Sequence, residues 1–249
     1  MYDILIVGGG LSGLTNAIVL ADAGLNVLLV EKNNYPFHRV CGEYISNEVK
    51  PFLKSIGADV DILNPSQISN LVVSSPYGTT LTAKLDMGGF GISRYTLDYY
   101  LYTIAKKKGC TIRTNIQVEE VTYAKPFFST LLSNGEVIMS NIVIGSYGKR
   151  SSLDRKLNRL FFQQPSPYIG VKYHIQTDFP KDIIALHNFD DGYCGLSAIE
   201  DNKYCLCYLT TRANLKKSGS IELMENEILR KNPFLNRLFS SSTILYDKP

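Results

Sequence analysis

The sequence has few of the residues from which metal centres and disulfide scaffolds are built. It contains three histidines, no Cys-x-x-Cys pair and five cysteines, at Cys41, Cys110, Cys194, Cys205 and Cys207. The histidines do not stand at ligand spacing from the cysteines, so no metal site is predicted. A disulfide scaffold is also not expected at this chain length, and the cysteines favour a reducing compartment.

Long apolar runs and an excess of one charge are missing too. No apolar run approaches the roughly 20 residues that span a bilayer, and a strand-like segment stands where a signal peptide would be. The 26 basic and 23 acidic residues leave a net charge of only +3, which does not favour nucleic acid as a partner. We therefore expect a soluble, cytoplasmic protein.

The composition that is present is that of a globular chain. Of its 249 residues, 45% are hydrophobic and 20% are charged. This length corresponds to one large domain or two small ones, with ample material for a buried core.

The most informative pattern lies in the first 31 residues. An apolar strand over residues 2–7 is followed by a Gly-x-Gly-x-x-Gly pattern, an amphipathic helix and a second apolar strand over residues 26–30. The pattern consists of Gly8, Gly10 and Gly13, and Glu31 follows the second strand. A strand, a glycine-rich turn and a helix in this order are typical of a dinucleotide-binding unit.

Each residue type in this unit has a physical reason. Gly8 permits the tight turn, Gly10 permits close approach of a pyrophosphate, and Gly13 permits close packing of the helix. The helix N-terminus attracts phosphate, and the Glu31 carboxylate accepts hydrogen bonds from a ribose, which favours FAD or NAD over NADP. The predicted cofactor contacts also include three neighbours of these residues, Leu11, Ser12 and Lys32.

Beyond residue 31 the pattern is not that of simple alternating strands and helices. An irregular stretch over 32–44 precedes a helix that begins near Ser46 and ends near Gly57. Strands are predicted at 71–75, 79–85, 111–113, 117–123, 127–133, 136–144, 168–177, 192–199 and 203–211. Further helices are predicted at 93–109, 221–230 and 233–239. The three strands between 117 and 144 form a β-meander, with Asn134-Gly135 as a tight turn.

Four segments together resemble a known flavoprotein family, the one that contains geranylgeranyl reductases and single-component aromatic monooxygenases of the para-hydroxybenzoate hydroxylase type. The segments are 8–13 with Glu31, 36–43 (PFHRVCGE), 93–98 (SRYTLD) and 145–152 (GSYGKRSS). The second segment, with its Cys-Gly-Glu end, is similar to the geranylgeranyl-reductase branch.

The resemblance implies an α/β fold with two parts. One is an FAD/NAD(P)-binding Rossmann-like domain with a β-meander, expected over 1–70 and 93–165. The other is a mixed α+β substrate domain with an antiparallel sheet, expected over 71–92 and 166–249.

The resemblance also implies site residues. Arg39 would lie beside the flavin or its ribityl chain, and Arg94 near the pyrophosphate or ribityl region. Cys41 and Gly42 would approach the isoalloxazine ring, with Cys41 as the catalytic candidate. The backbone of Gly145 and Gly148 would pass near the cofactor. The alternatives are solvated surface arginines and a structural cysteine.

Three functions remain open at this point. The first is an FAD-dependent reductase that delivers hydride to an alkene of an apolar, isoprenoid-like small molecule, with NAD(P)H as a possible electron donor and with possible peripheral contact with the inner membrane. The second is a flavin monooxygenase or halogenase. The third is a non-catalytic dinucleotide-binding fragment.

The sequence departs from the family at two places, and the second departure supports the third function. Tyr147 stands where the family has an aspartate, which puts nicotinamide use by the family's route in doubt. Residues 156–249 hold no match to the family's Gly-Asp-Ala motif. We therefore expect a truncated chain with weakened FAD binding unless other residues complete the site.

Overall fold

The computed structural model describes residues 1–149, 151–164 and 166–246. Arg150 in the fourth family segment, Pro165 at an expected domain boundary and the chain end at Pro249 lie outside the described residues. The strands are β1 (Tyr2–Val7), β2 (Val27–Val30), β3 (Tyr44–Ser46), β4 (Ser66–Ser74), β5 (Thr80–Gly91), β6 (Thr111–Arg113), β7 (Val118–Ala124), β8 (Phe127–Leu132), β9 (Val137–Gly145), β10 (Tyr168–Gln176), β11 (Ile183–Phe189), β12 (Gly192–Ala198), β13 (Tyr204–Thr211) and β14 (Thr243–Ile244).

Within the described residues the helices are fewer than the strands. They are α1 (Leu11–Asp22), α2 (Lys50–Ser55), α3 (Arg94–Lys107), α4 (Ser152–Lys156), α5 (Arg212–Ser218), α6 (Ile221–Glu227) and α7 (Pro233–Ser241). Among the described residues, none of these helices has the length and apolar character that a membrane crossing needs.

The chain divides into two compact units. Unit 1 comprises Met1–His38, Phe52–Ala58 and Tyr95–Pro165, and unit 2 comprises Arg39–Pro51, Asp59–Arg94 and Ser166–Pro249. The expected α/β organisation, with a Rossmann-like part and a second part rich in strands, is confirmed.

Unit 1 is built on a six-stranded sheet in the order β6-β2-β1-β9-β8-β7. Strands β6, β2, β1 and β9 run parallel, whereas β8 and β7 complete an antiparallel meander. All four residues of β2 and the last four of β1 are buried, as expected for parallel strands covered on both faces. The predicted strand–helix–strand unit and meander are therefore present.

Unit 2 is built on an eight-stranded sheet in the order β14-β10-β13-β12-β11-β4-β5-β3. Helices α6 and α7 contribute Met224, Leu235 and Leu238 to the core that covers one face of this sheet. The sequence analysis did not predict β11, which pairs in parallel with β4. The sheet is consequently mixed rather than purely antiparallel.

Candidate functional site

The glycine-rich loop of unit 1 connects β1 to α1 and is tightly folded. Gly8 has φ of +99°, and a Cβ on it would lie 2.6 Å from the carbonyl oxygen of Ser146. A Cβ on Gly13 would lie 1.9 Å from the carbonyl oxygen of Gly8. Because backbone atoms occupy both positions, the loop cannot accept side chains at Gly8 or Gly13 without moving.

The N-terminus of α1 is suited to an anion. Gly10 is the N-cap and Leu11 begins the helix, and within the described residues no side chain caps this end. The first turn also carries no acidic residue. The backbone N–H groups at a helix start and the helix dipole together bind phosphate groups, so Gly10, Leu11 and the exposed Ser12 fit a pyrophosphate.

Glu31 is held beside this loop, directly after β2. Its side chain is buried, and Oε2 accepts a hydrogen bond of 2.7 Å from the Gly9 N–H. Oε1 accepts hydrogen bonds of 3.0 Å from the backbone N–H and the side-chain amide of Asn33. Lys32, the next residue, is exposed. The carboxylate is thus fixed at the strand end where a ribose is expected.

A second loop follows β9 and lies against the first. Gly145 is in register with Val7 on the neighbouring strand, and the hydroxyl of Ser146 donates to the carbonyl oxygen of Gly8 at 2.7 Å. Gly148 has φ of +74°. Both loops therefore meet at the carboxyl ends of adjacent parallel strands, which is where open α/β sheets bind ligands.

Tyr147 replaces the family's aspartate in the second loop. Its hydroxyl donates to Oδ1 of the buried Asp154 at 3.2 Å. Partial burial and the negative charge of Asp154 raise the pKa of Tyr147. This position therefore presents a neutral hydroxyl group, bonded within unit 1.

The other predicted site residues, Arg39, Cys41, Gly42 and Arg94, belong to unit 2. They flank a buried cluster of charged side chains centred on Glu43. The Glu43 carboxylate accepts a hydrogen bond from Lys172 Nζ at 2.7 Å and lies 2.6 Å from His174 Nε2. Oε1 also accepts the Arg94 backbone N–H at 2.8 Å. Glu43 itself has φ of +56°, a conformation that is uncommon outside glycine.

The charge state of Glu43 follows from two opposed effects. Burial favours the neutral acid and would raise the pKa of Glu43. The hydrogen bond of His174 and the positive charge of Lys172 favour the carboxylate, and together they lower the pKa below its ordinary value. The group is therefore ionised at neutral pH and paired inside unit 2.

The backbone carbonyl groups of Cys41, Gly42 and Glu43 each accept a hydrogen bond from another part of unit 2. The Cys205 thiol donates to the carbonyl oxygen of Cys41 at 3.3 Å, and the Ser197 hydroxyl donates to that of Gly42 at 3.3 Å. The carbonyl oxygen of Glu43 accepts the Ile92 N–H at 3.1 Å. We call residues 41–43 the Cys-Gly-Glu segment; within it, Cys41 is partly exposed and Gly42 is exposed.

Two further thiols lie near this segment on β13. Cys205 and Cys207 share a strand face, as their spacing predicts. Burial and the neighbouring thiol of Cys41 raise the pKa of Cys207 to about 11, and burial also raises the pKa of Cys205 well above its ordinary value. Both thiols are therefore neutral and weakly nucleophilic.

Glu43, His174 and Cys205 could be considered as a metal site, since their ligand atoms lie within 4.8 Å of one another. The ammonium group of Lys172 already contacts the same carboxylate and would repel a cation. We interpret the cluster as an ion-pair network.

Sequence reasoning missed this network. The sequence analysis assigned no role to Lys172 or to His174. The available signal was two basic residues at positions i and i+2 of an otherwise apolar strand, which places both on one face.

Comparison with known proteins agrees with the geometry of unit 1. A family profile described as FAD binding domain matches residues 1–168. The chain belongs to the FAD binding domain family. Its cofactor is FAD, and the glycine-rich loop, the uncapped start of α1 and Glu31 fit the adenosine and pyrophosphate part of that molecule.

The curated relatives of this chain differ from one another in the function that their names state. An uncharacterized protein of Methanosarcina barkeri is 26% identical over 226 residues, which are 86% of this chain and 55% of that protein. Digeranylgeranylglycerophospholipid reductase 2 of Methanothermobacter thermautotrophicus is 28% identical over 162 residues, 62% of this chain and 41% of that enzyme.

Solved structures share the fold along almost the whole chain. A crystal structure of the halogenase PltM has a TM-score of 0.81 at 18% identity and covers 99% of this chain and 59% of its own. A geranylgeranyl bacteriochlorophyll reductase-like protein from Thermoplasma acidophilum has a TM-score of 0.79 at 17% identity, covering 98% and 64%. The chain therefore spans less than two thirds of the length of these proteins.

Proposed function

We propose that this chain belongs to an FAD-dependent reductase that adds hydride to a carbon–carbon double bond of an apolar substrate. The observation that carries the proposal is the Cys-Gly-Glu segment. It resembles the geranylgeranyl-reductase branch, and it presents a partly exposed Cys41 from a backbone fixed at three successive residues.

Bound FAD, once reduced, supplies the hydride, which is chemistry that no side chain provides. Reduction of the double bond also needs a proton, and we assign the role of proton donor to Cys41. Its Sγ–H bond breaks, the proton goes to the second alkene carbon, and water restores the thiol. The neutral Cys205 holds the Cys41 carbonyl oxygen in place and takes no part in the transfer.

The composition of one face of the unit 2 sheet supports the proposal that the substrate is apolar. On β13, Tyr204, Leu206 and Tyr208 point into the core under the helices, so Cys205, Cys207 and Leu209 lie on the other face. On β10 this second face carries Lys172 and His174, which pair with Cys207 and Cys205. On the other side of β13 the strand pairings extend it with uncharged residues that are exposed or partly exposed: Leu209, Tyr193, Leu186, Val73 and Leu81. We propose that this face, in the part expected over 71–92 and 166–249, contacts the substrate.

The names of the relatives add limited support for a reductase. One is named for the reduction of a digeranylgeranyl lipid, but it matches over only 41% of its length. Others are named as flavin-dependent halogenases and match over about a quarter of theirs. The likeness to solved halogenases, at 18% identity or less, concerns the fold.

The experiment is a single-turnover assay on the FAD-loaded chain. The flavin is reduced with dithionite without oxygen, and a polyprenyl alcohol with several double bonds is added. We expect flavin reoxidation with a product two mass units heavier per reduced bond, and a loss of this step in C41A. C110A is the matched control, because Cys110 is buried in unit 1. NAD(P)H then replaces dithionite to test the electron donor.

Other outcomes would support the alternatives. Oxygen-dependent hydroxylation or halide incorporation into a phenol, without anaerobic turnover, would replace the reductase by a monooxygenase or halogenase. A colourless chain that takes up no FAD would support the non-catalytic fragment.

A further inference from the structure

Gly9, in the middle of the glycine-rich loop, is held from both sides. Its N–H donates to Glu31 Oε2 at 2.7 Å, and its carbonyl oxygen accepts the hydroxyl of Tyr35 at 2.5 Å. The two bonds fix the peptide groups on either side of Gly9. The second of these peptide groups contains the Gly10 N–H, and Leu11, the first residue of α1, follows directly.

The hydroxyl of Tyr35 is placed by its ring. The ring stacks on Tyr102 with centroids 4.6 Å apart and planes at 22°, and it contacts Phe37 at 5.5 Å. Tyr102 in turn stacks on Tyr99 at 5.9 Å. A phenol held by a stack of this kind has little freedom, so its hydrogen bond to Gly9 has a fixed direction.

Tyr35 also determines which residue can stand at position 9. A Cβ on Gly9 would lie 1.8 Å from the Tyr35 hydroxyl oxygen, whereas the next atoms, Tyr35 Cζ and Glu31 Cβ, would be 3.0 and 3.1 Å away. The steric requirement for glycine at this position therefore arises chiefly from one hydroxyl oxygen.

We infer that Tyr35 is a positioning residue for the adenosine diphosphate half of FAD. It acts through Gly9, whose orientation aims the following N–H groups at the pyrophosphate. The paired constraint by Glu31 and Tyr35 keeps the loop in its binding conformation before the ligand arrives, which lowers the cost of binding. The inference concerns the cofactor and does not depend on the proposed reductase activity.

The first test compares Y35F with Y99F in the full chain. Both changes remove one hydroxyl from the same aromatic stack and keep the rings. ADP binding is measured by calorimetry and FAD binding by quenching of flavin fluorescence. We expect Y35F to weaken ADP binding about fivefold to tenfold, in the range of one lost hydrogen bond. Y99F should bind as the wild type does and keep its melting temperature, whereas ligand-free Y35F should melt about 2–4 °C lower, the shift that corresponds to one lost hydrogen bond.

The second test uses the steric relationship. We expect G9A to weaken ADP binding at least a hundredfold, and G9A combined with Y35F to bind better than G9A alone, because the obstructing hydroxyl is gone. A merely structural tyrosine would give additive losses. Equal ADP affinity of Y35F and the wild type, equal losses in Y35F and Y99F, or absence of ADP binding by the wild-type chain would each overturn the inference.

Discussion

The imidazole of His174 lies 2.6 Å from the carboxylate of Glu43, and both side chains are almost completely withdrawn from solvent. Lys172 contacts the other carboxylate oxygen, with only 7% of its side chain exposed. Charges at this depth are tolerated only when they are paired. The network therefore keeps the Cys-Gly-Glu segment on the sheet, because the carboxylate cannot leave without exposing two basic partners to an apolar interior.

Removal of Lys172 should be costly. K172M leaves the Glu43 carboxylate buried without its ammonium partner, and we expect a loss of roughly 3–5 kcal/mol in unfolding free energy. The double variant K172M/E43Q removes both charges and should lose less than the sum of the single variants. Urea denaturation of the four proteins measures this coupling.

The matched control for this cycle is an exposed ion pair. Lys108 Nζ lies 2.5 Å from Asp22 in unit 1, with both side chains at least 35% exposed. K108M should change the unfolding free energy by less than about 1 kcal/mol. A K172M variant as stable as K108M would show that Glu43 does not depend on Lys172.

The Glu43 carboxyl should also make the unfolding free energy depend on pH under acidic conditions. Its pKa is lower in the folded chain than in the unfolded one, so the carboxylate stabilises the fold above pH 4.5 and this contribution disappears as the pH falls through the folded value. We expect the stability difference between wild type and E43Q to be constant above pH 6 and to shrink below pH 4.5. Urea midpoints between pH 7 and pH 3 measure it, and a difference independent of pH would contradict the assignment.

His187 should produce a separate dependence at higher pH. It is buried on β11 with Nδ1 2.9 Å from the Ser74 hydroxyl, and burial lowers its pKa from 6.5 to about 4. The unfolded chain takes up the proton first, so stability is complete above pH 6.5 and is lost between pH 6.5 and pH 4. The 2.5-unit shift corresponds to about 3 kcal/mol.

H187Q removes this titration and provides the comparison. Measured against its own value at pH 8, where the histidine is neutral in both states, H187Q should lose less stability at pH 5 than the wild type does. Parallel curves for the two proteins between pH 8 and pH 5 would mean that His187 is protonated in the folded chain as readily as in the unfolded one.

The fold was predictable where the sequence pattern is local. Strand β1, helix α1 and strand β2 follow each other with clear apolar periods, and Gly24, with φ of +81°, follows the end of the helix. Strand β11 was missed because His187 and Asn188 interrupt its apolar pattern. These polar groups are satisfied by Ser74, 113 and 114 residues away, which no local pattern can indicate.

The site was predictable to a similar extent. The dinucleotide loop is continuous in sequence, so its glycines and Glu31 could be identified together. The Glu43 network could not, because Lys172 and His174 are 129 and 131 residues away from it. The sequence did not indicate Tyr35 for a different reason: its proposed function depends on a ring stack with Tyr102, which lies on α3.

The last prediction concerns the glycine at which α1 packs on the loop. A methyl group on Gly13 would lie 1.9 Å from the Gly8 carbonyl oxygen, a backbone atom that cannot turn aside. G13A should therefore displace the loop, lose FAD binding and lower the unfolding free energy by about 1–3 kcal/mol, as overpacking does. G195A is the matched control, because the nearest atoms to its new methyl group, on Cys207 and Leu186, would be 3.6 Å away. FAD titration and thermal melting of both variants measure the effect, and a G13A chain that binds FAD with wild-type affinity would refute the assignment of this loop to the cofactor.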